Sequence, residues 1–296
     1  MANRLTVSSE QSAPLWQLAQ LLPKPALTGG EVSSTVRQDY ARMLSGLCHL
    51  CDLKDRLVRD LGTEDASAGY VILEAIPPEH AARPEALVLA TALCSLVGIP
   101  FRVIDAGGLW QELGVDVKAS PNRFRGIGHN PLHIDIVNST QPPSYTALFC
   151  VRTDPAGGGH TLVSNLQRAV GRLSSGAISH LESRSFSEGR FYGMSGVGVE
   201  LNPFPVLERA GRHPPWIVRF TAKMIPGMKE GPAKDALGAF ERALVEAQES
   251  FLLRPGHLLI LNQRIVAHGR LPLGPGQHQL TQDQARYLRQ TYLHAF

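Results

Sequence analysis

Leu132-His133-Ile134-Asp135-Ile136-Val137 is the stretch that decides how this chain is read. Its apolar, β-branched residues suit a β-strand. On a strand, residues i and i+2 project to the same side, so His133 and Asp135 can reach one metal together. Far downstream, Ala267-His268-Gly269-Arg270 offers a second histidine. Two imidazoles and one carboxylate hold one face of an octahedral iron(II) and leave about three positions open for a co-substrate and dioxygen. A His-x-Asp alone is also what a solvated strand can carry, so the surrounding sequence has to decide.

Three more segments follow in order. Pro155-Ala156-Gly157-Gly158-Gly159-His160-Thr161-Leu162-Val163 is a glycine-rich turn leading into a strand, with a hydroxyl at Thr161. Pro255-Gly256-His257-Leu258-Leu259-Ile260-Leu261-Asn262 is a turn running into a buried strand, from which a short loop delivers His268. Ala285-Arg286-Tyr287-Leu288 places an arginine on a strand-like run near the C-terminus. An arginine grips a carboxylate with two parallel hydrogen bonds. Metal ligands, a hydroxyl and this arginine together make a site for a chelating keto acid.

With these residues, roughly 70 to 296 of the chain resembles the iron(II)/2-oxoglutarate-dependent dioxygenases of the clavaminate synthase-like and taurine dioxygenase-like group. His133, Asp135 and His268 match that family's metal motif. Thr161 matches the threonine that contacts 2-oxoglutarate, and Arg286 the arginine that binds its distal carboxylate. The run Asn262 to Arg270 is similar to the family's Asn-Arg-Arg-x-x-His-Gly-Arg stretch, and Arg286-Tyr287-Leu288-Arg289 to its Asp-Arg-Trp-Leu-Lys segment. The resemblance implies Fe(II), 2-oxoglutarate as co-substrate and dioxygen, with oxidation of an aliphatic C–H and release of succinate. Two departures stand out. The branch that hydroxylates free amino acids usually has His-x-Glu, whereas Asp135 is as in the taurine dioxygenase branch. The 18 positions from His268 to Arg286 also exceed the usual spacing. The excess falls at Leu273-Gly274-Pro275-Gly276-Gln277, a turn insertion, which leaves Arg289 and Arg270 as rivals for the keto acid.

Composition narrows the class. A chain of 296 residues with 43% hydrophobic content can bury a substantial core, and its length is compatible with a single all-β-type domain. The formal net charge is +3 and the 29 basic residues are scattered without interleaved aromatics, so nucleic acid is not indicated. The N-terminal ten residues lack the apolar core of a signal peptide. The longest apolar stretch, Ala86 to Val97, is too short for a bilayer, so no membrane is expected. Four cysteines suit a reducing cytoplasm, which also helps keep iron ferrous. Cys48-His49-Leu50-Cys51 lacks a second pair at zinc-finger spacing and reads as two ordinary helix positions. Cys94 reads as a buried helix residue and Cys150 as a strand residue. Oligomeric state has no sequence signal.

The periodicity predicts helices over 13–22, 36–61 (capped from among Ser33, Ser34 and Thr35), 84–97, 165–173 and 232–250. Strands are predicted at 69–75, 101–104, 132–137, 145–152, 161–164, 191–194, 216–222, 257–262 and 285–294, with a possible short one near Val115. Helices early and strands late give an α+β class, best met by a double-stranded β-helix, or jelly roll, with flanking helices. The expectation is one dioxygenase domain over 1–296. It comprises a mainly helical part (1–105), a Gly-, Pro- and Asn-rich segment (106–131) that is a candidate active-site lid, and the jelly-roll core with helical insertions (132–296).

His129, Arg219 and Arg270 are the candidate substrate contacts. His129 reads more readily as a solvent-facing loop residue than as a substrate contact, and Arg219 equally as a structural ion pair. The likeness of the His-Gly-Arg and Arg-Tyr-Leu-Arg runs implies a free or derivatised amino acid of specialised metabolism as the small-molecule substrate. Asp135 leans toward a sulfonate or another small acid. Desaturation or cyclisation begins with the same hydrogen abstraction and stays open, as does, more remotely, a non-catalytic jelly-roll binding module.

Overall fold

The strand His257–Asn262 is buried along its whole length, as expected of a continuous apolar run covered on both faces. It lies antiparallel between Tyr70–Glu74 and Tyr145–Arg152. Its alternate residues enter different layers. Leu258 and Ile260 pack with Leu15, Tyr40, Leu57 and Leu89 of the N-terminal helices. Leu259 and Leu261 pack with Val163, Phe251 and Val266 of a second sheet. The computed structural model, which describes residues 3–6, 9–47, 52–63, 67–103, 107–139, 142–188, 203–211 and 215–296, is therefore layered: helices, large sheet, small sheet, helices.

Among the described residues, the large sheet has nine strands. In order across it run Arg4–Thr6, Tyr70–Glu74, His257–Asn262, Tyr145–Arg152, Tyr287–His294, Ile99–Phe101, Glu31–Val32 and Leu27–Thr28, with Gln111–Gly114 also pairing with Tyr287–His294. The small sheet runs Glu249–Phe251, Thr161–Asn165, Val266–Arg270, Asn130–His133. Its outer face, with Leu132, Leu162 and Ala267, is covered by Leu237 and Phe240 of the helix Pro232–Glu246 and by Leu166 and Leu181 of the shorter helices before it. The two sheets face each other as in a jelly roll without closing into a barrel.

Several predicted elements shift. The helix over 36–61 is two helices, Ser34–Ser45 and Leu53–Asp60, the first capped by the Ser33 side chain accepting from the Val36 N–H. Cys48 to Cys51 and the strand predicted at 191–194 lie outside the described residues. The N-terminal third is less purely helical than its periodicity suggests. It supplies short strands to the large sheet, two or three residues long at its far edge, where pairing rather than pattern makes the strand. The strand predicted over 216–222 stops at Val218, and a 3-10 turn follows over Ala222–Gly227. The most consequential correction is at 132–137: the strand is Asn130–His133, and Asp135 lies in the turn beyond it. Ile136 adopts φ of +55°, a left-handed conformation unfavourable for a β-branched residue and incompatible with a strand.

Candidate metal centre

The pleat of the small sheet sends one set of side chains inward. Leu132, Leu162 and Ala267 face the outer helices, so their neighbours His133, Thr161 and His268 must face the large sheet. His133 and His268 are directly paired in the register of adjacent strands, with ring centroids 4.5 Å apart. Asp135 arrives by the turn instead. The Ile134 N–H donates to the Phe220 carbonyl at 2.9 Å and the Asp135 N–H to the Gln263 Oε1, whose own amide donates to the Pro143 carbonyl at 3.0 Å. This folds the carboxylate back between the imidazoles. Asp135 Oδ1 is 3.5 Å from His133 Nε2, and Oδ2 is 3.5 Å from His268 Nε2.

Among the described residues, these three form the group of potential ligand atoms that could hold a metal ion, all within 4.8 Å of one another. The surrounding contacts fit that use. His133 Nδ1 lies 2.8 Å from the Pro131 carbonyl, so Nδ1 carries the proton and the Nε2 lone pair turns toward Asp135. Asp135 Oδ2 accepts from Thr146 Oγ1 at 2.8 Å and Gln290 Nε2 at 3.0 Å, both on the large sheet. Burial alone would raise the Asp135 carboxyl. The His268 and His133 rings and the Thr146 hydroxyl outweigh it and hold the group well below the usual carboxylate range. Burial lowers His268 to about 4, so it is a neutral donor at physiological pH. Two imidazoles and a carboxylate fit a divalent transition metal such as iron(II).

The cavity beside these residues has a volume of about 1000 Å³ including its open mouth, and Thr161, Arg270 and Arg286 line it as well. Arg286 is buried, and among the described residues no ion pair holds its guanidinium. Its place depends on the glycine-rich turn. A Cβ on Gly159 would lie 2.7 Å from Leu273 Cδ2 and 3.2 Å from Arg286 Cδ, and one on Gly158 would lie 2.1 Å from the Gly274 nitrogen. Asp154 ties this turn to the 271–277 insertion. It accepts from the backbone N–H of Gly274 at 2.6 Å, Ala156 at 3.1 Å and Gly158 at 3.1 Å, and from Gln277 Nε2 at 2.8 Å. Arg289 lies apart, paired with Glu112 Oε1 at 2.7 Å and stacked near the Tyr287 ring.

Arg270 reaches the cavity, but its guanidinium donates to the carbonyls of Gly126 at 2.6 Å and Gly128 at 2.7 Å, pinning the 115–129 loop. Burial and the charge of Arg286 lower it to about 10, so it stays cationic. His129 is exposed and Arg219 packs over the Phe204 ring; neither lines the cavity. Sequence reasoning missed Thr146, Gln263 and Gln290 around Asp135, and Arg123, Glu188 and Lys223 in the lining. Gln290 had a usable signal, since it shares strand parity with Leu288. The others are isolated polar residues on separate segments and carried none.

Asp154 is buried and its four donors would lose their acceptor together. Asp154→Ala should destabilise the protein by about 2–4 kcal/mol, measured as a lower urea midpoint at unchanged slope.

The comparisons agree with this layout. The model of the taurine catabolism dioxygenase TauD/TfdA family matches residues 53–292. An L-lysine 3-hydroxylase of Catenulispora acidiphila is 28% identical over 153 residues, 49% of this chain and 40% of that protein, so less than half of that relative's length is spanned. Among solved structures, an asparagine oxygenase in complex with Fe(II), 3-hydroxyasparagine and succinate superposes with TM-score 0.78 at 18% identity, covering 98% of this chain and 93% of its own. The non-heme iron oxygenase OrfP, in complex with Fe, succinate and (3S)-hydroxy-L-Arg, superposes with TM-score 0.76 at 15% identity, covering 100% and 95%. With its matched span exceeding three quarters of the chain, this protein belongs to the TauD/TfdA dioxygenase family.

Proposed function

We propose that this protein is an iron(II)- and 2-oxoglutarate-dependent oxygenase that hydroxylates an aliphatic C–H of an amino acid. The observation that carries the reading is the arrangement of one cavity. His133, Asp135 and His268 converge beside a space that Thr161 and Arg286 also line. The names of the relatives, a lysine hydroxylase and oxygenases holding hydroxylated asparagine or arginine, support an amino acid as substrate. The fold's coverage of those oxygenases supports one dioxygenase unit over the whole chain.

When bound, iron(II), 2-oxoglutarate and dioxygen supply the oxidising power that removes hydrogen from an unactivated C–H, the keto acid leaving as succinate and carbon dioxide. The protein's part is positioning. Arg286 grips the distal carboxylate of the keto acid through its planar fork and Thr161 adds a hydroxyl. Thr146 and Gln290 fix Asp135 so that its remaining lone pairs face the metal. Ile134, Ile136, Leu148 and Leu288 give the cavity apolar walls that limit water. The 115–129 loop, which brings Arg123 and Phe124 to the lining, serves as its cover. No helix is long and apolar enough to cross a membrane. Buried free Cys94 and Cys150 support a reducing, cytoplasmic setting, and the scattered basic residues support a small molecule rather than nucleic acid as partner.

With iron(II) and 2-oxoglutarate, a panel of amino acids should stimulate succinate release above the substrate-free rate, and the product should gain one atom from labelled dioxygen. Stimulation by sulfonates or other acids alone would defeat the amino-acid reading, and loss of two hydrogens without oxygen gain would replace hydroxylation by desaturation or ring closure.

The glycine-rich turn gives a sharper test of the keto-acid end. Gly159→Ala should raise the KM for 2-oxoglutarate by about tenfold or more by displacing Arg286. Gly157→Ala shares the left-handed backbone, with φ of +76° against +73°, but its Cβ meets nothing within 4 Å, so KM should stay near wild type. Equal effects of the two would show that Arg286 does not hold the co-substrate.

A further inference from the structure

Once the metal residues and the two arginines Arg270 and Arg286 are assigned, three charged side chains of the lining remain without a role among the described residues: Arg123, Glu188 and Lys223. They come from separate segments. Arg123 is in the covering loop, Glu188 follows the helix Ser175–Leu181, and Lys223 is in the 3-10 turn Ala222–Gly227. They lie within each other's electrostatic reach: Glu188 is influenced by Lys223 and Arg123, and Lys223 by Glu188 and Arg123. Among the described residues, no hydrogen bond or ion pair joins their charged ends to one another or to a fourth group. Burial pushes Glu188 up and Lys223 down. Both have therefore lost part of their hydration without gaining a partner, a costly state that a charged ligand relieves.

The charges of the cavity can be sorted by what each must neutralise. Asp135 offsets part of the metal's charge, and the dianionic 2-oxoglutarate meets Arg286 with Arg270 nearby. Among the described residues, what remains is two cations and one anion. A neutral amino acid would satisfy Glu188 with its ammonium and one cation with its carboxylate, leaving the other cation partly desolvated and alone. A lysine or arginine substrate would bring a further positive charge to a region already positive. A ligand with two carboxylates and one ammonium matches the set.

We propose that the substrate is an acidic amino acid, its two carboxylates held one each by Lys223 and Arg123 and its ammonium by Glu188. This rests on the amino-acid reading above and makes Lys223 the specificity-determining residue. Lys223 is the deeper of the two cations, being partly buried and within reach of His268 and Asp135, whereas Arg123 is exposed at the mouth.

The test is calorimetric titration of the anaerobic iron(II)/2-oxoglutarate protein with L-aspartate, L-glutamate, L-asparagine, L-glutamine, L-norleucine, L-lysine and L-arginine, paired with succinate release for each. Aspartate or glutamate should bind about tenfold or more tighter than its amide counterpart, and lysine and arginine should bind weakest. Lys223→Gln should erase the preference for acid over amide, and Lys223→Glu should shift it toward lysine or arginine. Melting temperatures near wild type would show that both variants are folded. A variant that melts early is replaced by Lys223→Met, for which the same loss of preference is expected. If wild type prefers an amide, apolar or basic amino acid and couples it to succinate release, the acidic-substrate inference is overturned while the amino-acid reading stands. If no amino acid binds or stimulates turnover, both fall. If acidic preference survives a folded Lys223→Gln, the assignment of Lys223 is wrong.

Discussion

The centre of this molecule depends on one carboxylate held from two sides. Asp135 leaves the small sheet by a turn, and its Oδ2 is held by Thr146 and Gln290 of the facing sheet. Those hydrogen bonds span the gap between the sheets beside the polar cavity, next to the apolar layer of Leu148, Val163, Leu259 and Leu288. A buried carboxylate is costly unless its lone pairs are satisfied. Here two donors take one oxygen, two imidazoles flank the group, and the backbone N–H is fixed by Gln263. Loss of Thr146 or Gln290 would affect the relation of the sheets and the orientation of Asp135 together.

The same alternation that builds the core builds the site. In the small sheet, Leu132, Leu162 and Ala267 anchor the outer helices, and His133, Thr161 and His268 are their neighbours in sequence. No special backbone is needed for these three. Asp135 needs it: Ile136 carries the positive φ of the turn and is buried against Phe101, Val103 and Tyr292. The unfavourable conformation is thus offset by packing at the point where the carboxylate must be aimed.

This explains what was legible in the chain and what was not. The strands covered on both faces, such as His257–Asn262, announce themselves as apolar runs, and the two histidines, Thr161 and Arg286 sit in segments with strong local signals. Strand parity does not place Asp135, although its carboxylate lies beside His133 and His268, because the turn depends on backbone N–H groups of Ile134 and Asp135 donating to Phe220 and Gln263, far away in sequence. The edge strands of the large sheet are too short to show a period. Arg270 reads as a ligand contact and lines the cavity, but its further bonds to the carbonyls of Gly126 and Gly128 have no local signal. Glu188 and Lys223 are single charges whose meaning exists only once the fold brings them to one cavity.

In the proposed function, His133, Asp135 and His268 hold one iron(II) beside a keto acid gripped by Arg286. Anaerobic titration of iron(II) into the protein with 2-oxoglutarate, followed by visible absorption, tests it most directly. A weak charge-transfer band should appear and saturate at one iron per chain, be absent in His268→Ala and be restored in Arg286→Ala only at much higher 2-oxoglutarate. A full-strength band in His268→Ala, or a band in Arg286→Ala at wild-type co-substrate concentration, would contradict it.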